Sequence, residues 1–126
     1  MKKIIRTNKA PKASNVYNQA VEVNNTLYVS GQIAISNVTG KLVEGGIREQ
    51  TEQALANLGA ILEAAGYSYR DVIKVNCILT NMDDYPGMNE CYGKYFNEEA
   101  PARAAWEAAK LPLGALIEID AIAVKQ

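Results

Sequence analysis

The stretch Pro101-Ala-Arg-Ala-Ala-Trp-Glu-Ala-Ala-Lys-Leu-Pro112, with Leu116-Ile-Glu-Ile-Asp-Ala-Ile-Ala-Val124 just after it, decides how this chain is interpreted. The second segment is rich in isoleucine and valine, which favours a strand. Alternate side chains of a strand point to opposite faces, so Glu118 and Asp120 share one face. The apolar members of that face are Leu116, Ile122 and Val124, and the opposite face consists of Ile117, Ile119, Ala121 and Ala123.

The first segment permits two interpretations. Propensity favours a helix over 101–109, because alanine, glutamate and lysine are strong helix formers and proline is tolerated in the first turn. If the segment is extended instead, Arg103, Ala105 and Glu107 share a face, and the small neighbours of Arg103 leave room for a ligand beside its guanidinium. The loop 112–115 is short, so we expect the two segments to be neighbours.

Composition indicates one globular domain, residues 1–126, with 48% hydrophobic and 21% charged residues. A chain of this length has no room for a second domain. The net charge is −1 and the lysines and arginines are scattered singly, which argues against binding to nucleic acid.

The chain contains no histidine. That excludes Ser-His-Asp and Cys-His nucleophiles and removes the commonest metal ligand. Cys77 and Cys91 can complete neither a structural zinc site nor a CxxC redox pair, so we interpret both as ordinary thiols. Met1-Lys-Lys-Ile-Ile5 begins like a signal peptide, but its apolar run is too short, and we expect a soluble cytoplasmic protein.

Periodicity predicts the element order β-β-β-α-β-α-β-β, an α+β domain with one sheet and two helices on one face. Asn24-Asn25 predicts a tight hairpin turn between strands at 20–23 and 26–30, and Gly31-Gln32 predicts a bulge after them. Helices are expected at 47–65 and 84–96, with a strand at 72–80 between them. On that strand the predicted buried face consists of Ile73, Val75, Cys77 and Leu79.

The second face of the predicted sheet remains to be covered. Leu116, Ile122 and Val124 make the Glu118 face too apolar to be left in water, so we infer a partner subunit on that face.

Several spaced motifs resemble the reactive intermediate deaminase (Rid) family, also called the YjgF family. Beyond Pro-Ala-Arg, Leu-Pro and Ile-Glu-Ile-Asp-Ala-Ile-Ala, they are Tyr28-Val-Ser-Gly-Gln-Ile33, Ala60-Ile-Leu-Glu-Ala-Ala-Gly66, Asp71-Val-Ile-Lys-Val75 and Met88-Asn-Glu-Cys-Tyr92. The resemblance implies a chorismate-mutase-like fold in which both C-terminal segments are strands of one mixed sheet. It also implies a homotrimer whose sheets form a central barrel, with ligand sites in the clefts between subunits.

The resemblance further implies a deaminase, a 2-iminobutanoate/2-iminopropanoate deaminase that hydrolyses enamines or imines such as 2-aminoacrylate to 2-oxo acids and ammonia. On this basis Arg103 grips the substrate carboxylate and Glu118 positions the hydrolytic water. The implied substrate-binding positions are Tyr17, Ser30, Gly31, Asn89 and Ala105, the last in a place where many relatives have cysteine. This chain departs from the family at this loop, since it has Asn15-Val-Tyr17 where relatives usually read Gly-Pro-Tyr.

These residue types suit the chemistry independently of the family. A guanidinium offers paired donors that fit a carboxylate, and a partly desolvated carboxylate can hold water or accept a proton. Alternation puts both carboxylates on one face, and we expect Glu118 rather than Asp120 to act because the resemblance places Glu118 at the family's active-site position and its longer side chain can reach toward Arg103. Imines hydrolyse readily, so no cofactor and no metal is required.

Alternatives remain for the same residues. Arg103 and Glu118 are of types that more often form surface ion pairs or solvated faces, and Trp106 points away from the Arg103 face and is interpreted as packing. The fold can also serve as a non-catalytic module that binds small carboxylates, in which case binding occurs without release of ammonia. Relatives described as ribonucleases and translation inhibitors suggest a further alternative, which the net acidity disfavours.

Overall fold

A computed structural model describes residues 1–125 and contains six strands and two α-helices. The order is the predicted β-β-β-α-β-α-β-β. The elements are β1 (Lys3–Ile5), β2 (Ala20–Val23), β3 (Thr26–Gln32), α1 (Ile47–Ala64), β4 (Val72–Leu79), α2 (Tyr85–Tyr95), β5 (Ala102–Glu107) and β6 (Ile117–Val124).

One mixed sheet contains all six strands in the order β1-β2-β3-β6-β4-β5. Strands β4 and β5 run parallel, and the other neighbours are antiparallel. The strand interpretation of the Arg103 segment is therefore confirmed, because pairing with β4 overrides the helix propensity of its alanines.

The expectation that β5 and β6 are neighbours is wrong, because β4 lies between them. Every second residue of β6 is buried, whereas the side chains of β5 are half-buried or exposed. A buried strand needs a neighbour on each side to pair its backbone N–H and C=O groups. A short strand of small and charged residues suits a sheet edge, where one side stays unpaired. The loop after β5 accordingly carries the chain past β4.

The helices cover one face of the sheet, as predicted. The residues of β6 on that face are buried in the core with the apolar side of α1, and they are Ile117, Ile119, Ala121 and Ala123. Glu118, Asp120, Ile122 and Val124 are half-buried on the opposite face, which we call the open face.

Two apolar residues depart from the predicted faces. Ile73 is 48% exposed, because a shift in register between Val72 and Lys74 along β6 breaks the alternation at the start of β4. Leu116 precedes β6 and packs in part against the core, so it does not extend the open face.

Both predicted irregularities of the first hairpin are confirmed. Asn24 and Asn25 have φ values of 50° and 58°, as a two-residue hairpin turn of the primed type requires. The register between β3 and β6 then shifts between Val29 and Gln32, so the strand bulges at the predicted glycine.

Gly59 lies inside α1 against the ring of Tyr69. A Cβ added at Gly59 would lie 2.7 Å from Cζ of Tyr69, whose hydroxyl donates to the Leu55 carbonyl oxygen at 2.6 Å. Alanine normally stabilises a helix interior by about 1 kcal/mol relative to glycine. We expect Gly59→Ala instead to lower the free energy of unfolding by about 1–3 kcal/mol through overpacking, measured by urea-induced unfolding.

Gly93 in α2 provides the matched control. A Cβ at Gly93 would meet no atom of the described residues within 4 Å. Gly93→Ala should therefore stabilise the fold, and a stabilising Gly59→Ala would contradict the assigned contact with Tyr69.

Candidate functional site

The guanidinium of Arg103 lies on the helix side of β5 and is held by α2. Its Nη1 donates to Asn89 Oδ1 at 2.8 Å and its Nη2 donates to the Tyr85 hydroxyl oxygen at 2.7 Å. The Tyr92 ring lies 4.7 Å from Cζ and the Tyr85 ring 5.3 Å, within cation–π range. The side chain is only partly buried, and the guanidinium keeps N–H groups that no described residue engages.

The three partners of Arg103 occupy one face of α2, because Tyr85, Asn89 and Tyr92 are spaced by four and three residues. Asn89 was predicted as a site residue and lies beside Arg103. Both tyrosines were missed, although their helical spacing from Asn89 was a usable signal. Tyr92 contacts Arg103 through its ring, and its buried hydroxyl has no hydrogen-bond partner in the described part of the chain.

Ala105 follows two residues after Arg103 and lies on the same side of β5, next to Cys77 of β4. Burial raises the pKa of the Cys77 thiol to about 12, so it stays protonated at neutral pH. Cys91 is also buried and free, and burial raises its pKa as well. The interpretation of both cysteines as ordinary thiols agrees with this geometry.

Three other predicted residues meet in a cleft of about 370 Å³ that Arg103 does not line. They are Tyr17, Gly31 and Glu118, and part of the apolar wall comes from Ile33 and Leu113. Tyr17 is 51% exposed and lies on the loop between β1 and β2. Its placement in this cleft supports a position near Glu118 despite the unusual Asn15-Val16 before it.

Gly31 lets the Glu118 carboxylate lie directly against the backbone of β3. A Cβ at position 31 would lie 2.7 Å from the Cδ of Glu118 and would overlap its carboxylate oxygen. The absence of a side chain at the bulge is therefore what makes room for Glu118.

Ser30 has a supporting position rather than an open one. Its Oγ donates to the Asn18 carbonyl oxygen at 2.5 Å, and its N–H donates to the Gln19 carbonyl oxygen at 2.9 Å. These bonds attach the segment that follows Tyr17 to β3.

Gln19 organises the rest of that loop and was missed. Its buried amide accepts from the Thr7 N–H at 2.8 Å and donates to the Pro11 carbonyl oxygen at 2.8 Å. An isolated glutamine follows no periodic pattern, so the sequence gives no signal for this role.

Glu118 and Asp120 lie on the open face, as predicted, and their electrostatic surroundings differ. Burial raises the pKa of Glu118, and the charge of Asp120 raises it further. Burial also raises the pKa of Asp120, but hydrogen bonds from Asn76 partly offset that rise. Glu118 is thus the carboxylate that is better suited to accept a proton, because hydrogen bonds engage Asp120.

Arg103 and Glu118 lie on opposite faces of the sheet, which corrects the expectation that Glu118 reaches toward Arg103. Arg103 is beside the buried Val75, whereas Glu118 is beside Ile78 on the open face. The strand β4 also separates them. A single chain therefore presents two separate groups of candidate residues.

Trp106 is on the open face beside Ile78, away from Arg103 as predicted. It is 43% exposed, so the expectation that it packs within the fold is not met in the single chain. Within residues 1–125, neither helix combines the length and apolarity needed to cross a membrane.

Comparison with known proteins identifies relatives over nearly the whole chain. The family model described as endoribonuclease L-PSP matches residues 7–125. A RutC family protein of Pyrococcus horikoshii is 52% identical over the full length of both chains. The 2-iminobutanoate/2-iminopropanoate deaminase of Mus musculus is 47% identical, covering 99% of this chain and 93% of its own.

Solved structures share the fold of this chain over nearly its whole length. A putative endoribonuclease from Thermotoga maritima has a TM-score of 0.98 and 52% identity, covering 100% of this chain and 99% of its own. E. coli TdcF with bound serine has a TM-score of 0.94 and 35% identity, covering 98% and 99% of the two chains.

Proposed function

The chain belongs to the endoribonuclease L-PSP family, the same family as the reactive intermediate deaminases, and on that premise we propose that it hydrolyses enamines and imines of 2-oxo acids. An enamine first tautomerises to the imine, gaining a proton at its terminal carbon and losing one from nitrogen. Water then adds to the carbon of the C=N bond, and ammonia leaves as the C=O bond forms. The observation that carries the proposal is the clamped guanidinium of Arg103, which suits a small substrate with a carboxylate next to the reacting carbon.

Arg103 is the proposed carboxylate receptor. A guanidinium held from two sides loses little freedom when a ligand binds, and its remaining N–H groups can donate in parallel to both oxygens of a carboxylate. Asn89 and the aromatic rings of α2 fix the direction of those donors. Fixing the substrate in this way holds the imine carbon at a defined place.

Glu118 is the proposed residue that positions the hydrolytic water and accepts a proton from it. Its raised pKa makes it a stronger base than an ordinary exposed glutamate, so it can take a proton from the attacking water. Gly31 places this carboxylate against the backbone, and Tyr17 lies in the same cleft.

The two groups require a second copy of the chain to form one site. We propose a homotrimer in which the Arg103 group of one protomer meets the Glu118 cleft of the next. The open face supports the assembly, since it exposes large side chains including Tyr28 and Trp106, at 47% and 43%. Light scattering should give a trimer at micromolar concentration, and a stable monomer would contradict the shared site.

Mixing two impaired variants provides the sharpest test of a shared site. Arg103→Ala and Glu118→Gln chains, refolded together in equal amounts, should recover about one quarter of the wild-type rate, because that fraction of random junctions has both residues intact. The readout is ammonia release from 2-aminoacrylate that a serine dehydratase generates in the assay. Absence of recovery in a mixed oligomer would contradict a site that two protomers share.

The same assay distinguishes a non-catalytic binding module. That alternative has one observation in its favour, since the related E. coli TdcF structure contains bound serine. A protein that binds 2-oxobutanoate but does not accelerate ammonia release would be such a module.

A further inference from the structure

The hydroxyl of Tyr85 differs from those of the other tyrosines beside the helices, including Tyr92, whose buried hydroxyl has no hydrogen-bond partner among the described residues. Tyr67 donates to Glu22, Tyr69 donates to the Leu55 carbonyl oxygen, and Tyr95 donates to Glu52. The Tyr85 oxygen instead accepts from Nη2 of Arg103 at 2.7 Å.

A phenol has one hydrogen to donate in addition to its acceptor sites. Among the described residues, the Tyr85 O–H donates to no acceptor, although its oxygen is engaged. Tyr85 is half-buried at the start of α2, next to the half-buried Arg103. Its hydrogen is therefore available to a ligand.

The donors that remain on Arg103 indicate what that ligand is. A guanidinium has five N–H groups, and one on Nη1 and one on Nη2 are occupied by Asn89 and Tyr85. A second N–H on Nη2 remains, on a nitrogen that lies 2.7 Å from the Tyr85 oxygen. Two donors on atoms so close together suit the two oxygens of one carboxylate.

We propose that Tyr85 is a ligand-binding residue, whose hydroxyl donates a hydrogen bond to the carboxylate that Arg103 binds. This inference rests on the proposed function, because it deepens the description of the Arg103 receptor. The bond from the cationic guanidinium to the Tyr85 oxygen polarises the hydroxyl and strengthens it as a donor. Tyr85 thereby adds a third donor to the carboxylate.

The test compares Tyr85→Phe with Tyr95→Phe, which removes a hydroxyl from the same helix but from the bond to Glu52. Titration calorimetry with 2-oxobutanoate should show about tenfold weaker binding or more for Tyr85→Phe, and unchanged binding for Tyr95→Phe. The phenyl ring keeps the cation–π contact, so the unfolding temperature of Tyr85→Phe should stay near that of the wild type.

A spectroscopic measurement separates direct contact from mere positioning of Arg103. A tyrosine that starts to donate to a carboxylate changes its near-ultraviolet absorption, so 2-oxobutanoate should produce a difference spectrum that is smaller in Tyr85→Phe than in the wild type and unchanged in Tyr95→Phe. A difference spectrum of full amplitude in Tyr85→Phe, or unchanged affinity in that variant, would overturn the proposal.

Failure of the proposed function has a different signature. Wild-type protein that binds 2-oxobutanoate through Tyr85 but does not release ammonia from 2-aminoacrylate would refute the deaminase and leave the Tyr85 contact intact. Wild-type protein that binds no 2-oxobutanoate would overturn the Tyr85 contact itself.

Discussion

Replacing Arg103 with alanine should nearly abolish deamination while the protein stays folded. The variant loses a charge-assisted bidentate contact worth about 2–4 kcal/mol with an oriented substrate, or roughly 30- to 1000-fold in kcat/KM. The fold should tolerate the change because Arg103 is half-buried on the edge strand β5. Ammonia release in the coupled serine dehydratase assay measures the rate, and circular dichroism checks the fold.

Arg103→Lys separates charge from geometry. Lysine keeps the positive charge but lacks the planar guanidinium with its separate N–H donors. It therefore cannot donate to Asn89, Tyr85 and a carboxylate in the same arrangement. We expect an intermediate rate. Full activity in this variant would show that bidentate geometry is not what the site requires.

Glu118→Gln should lower turnover by roughly 10- to 1000-fold and change the binding of 2-oxobutanoate little. Glutamine keeps the size and hydrogen-bonding capacity of the side chain but cannot take a proton from water. Asp120→Asn is the matched control, because Asp120 lies two residues further along the same face and is engaged by Asn76. It should alter stability or assembly more than rate.

The comparison requires both variants as intact oligomers. A severely impaired Asp120→Asn beside a nearly normal Glu118→Gln would reverse the assignment of the base. The pH dependence adds a second readout, since a base works only when it is deprotonated. Activity should rise with pH through the pKa of Glu118, which lies above its ordinary value of 4.5, and Glu118→Gln should remove that rise.

The raised pKa of Glu118 affects stability in the opposite direction: activity should rise with pH, but stability should fall. A carboxyl whose pKa is higher in the folded state holds its proton more firmly when folded, so it favours folding at low pH. Stability should fall as pH rises from about the ordinary value of 4.5 through the raised pKa of Glu118. In Glu118→Gln that part of the decline should be absent.

The sequence was sufficient to predict most elements, because their patterns are local. The alternation of β6 and the helical spacing of α1 are repeated several times along each element, so the faces of β6, apart from Leu116, and the position of α1 were predicted correctly. Ile73 was misplaced because a bulge breaks alternation without any special residue to mark it.

Strand neighbours were harder to predict than strands. A short connection favours adjacent strands. β6 nevertheless pairs with β3 and β4, because the backbone of a buried strand needs hydrogen-bond partners along both edges. The family resemblance indicated Arg103 and Glu118, but their placement on opposite faces depends on which strand is next to which. The clamp around Arg103 was missed for a related reason, since Tyr85 and Tyr92 gain their role only when α2 packs beside β5.

The strand order also affects how the chain acquires its structure during synthesis. β6 follows the other five strands in sequence but lies between β3 and β4. Until it emerges from the ribosome, the β1-β2-β3 unit and the β4-β5 unit each expose an unpaired edge, and such edges invite association with other chains. Closing the sheet joins distant parts of the chain, which is a slow kind of step. Deletion of β6 would consequently divide the sheet into two parts rather than shorten it at an edge.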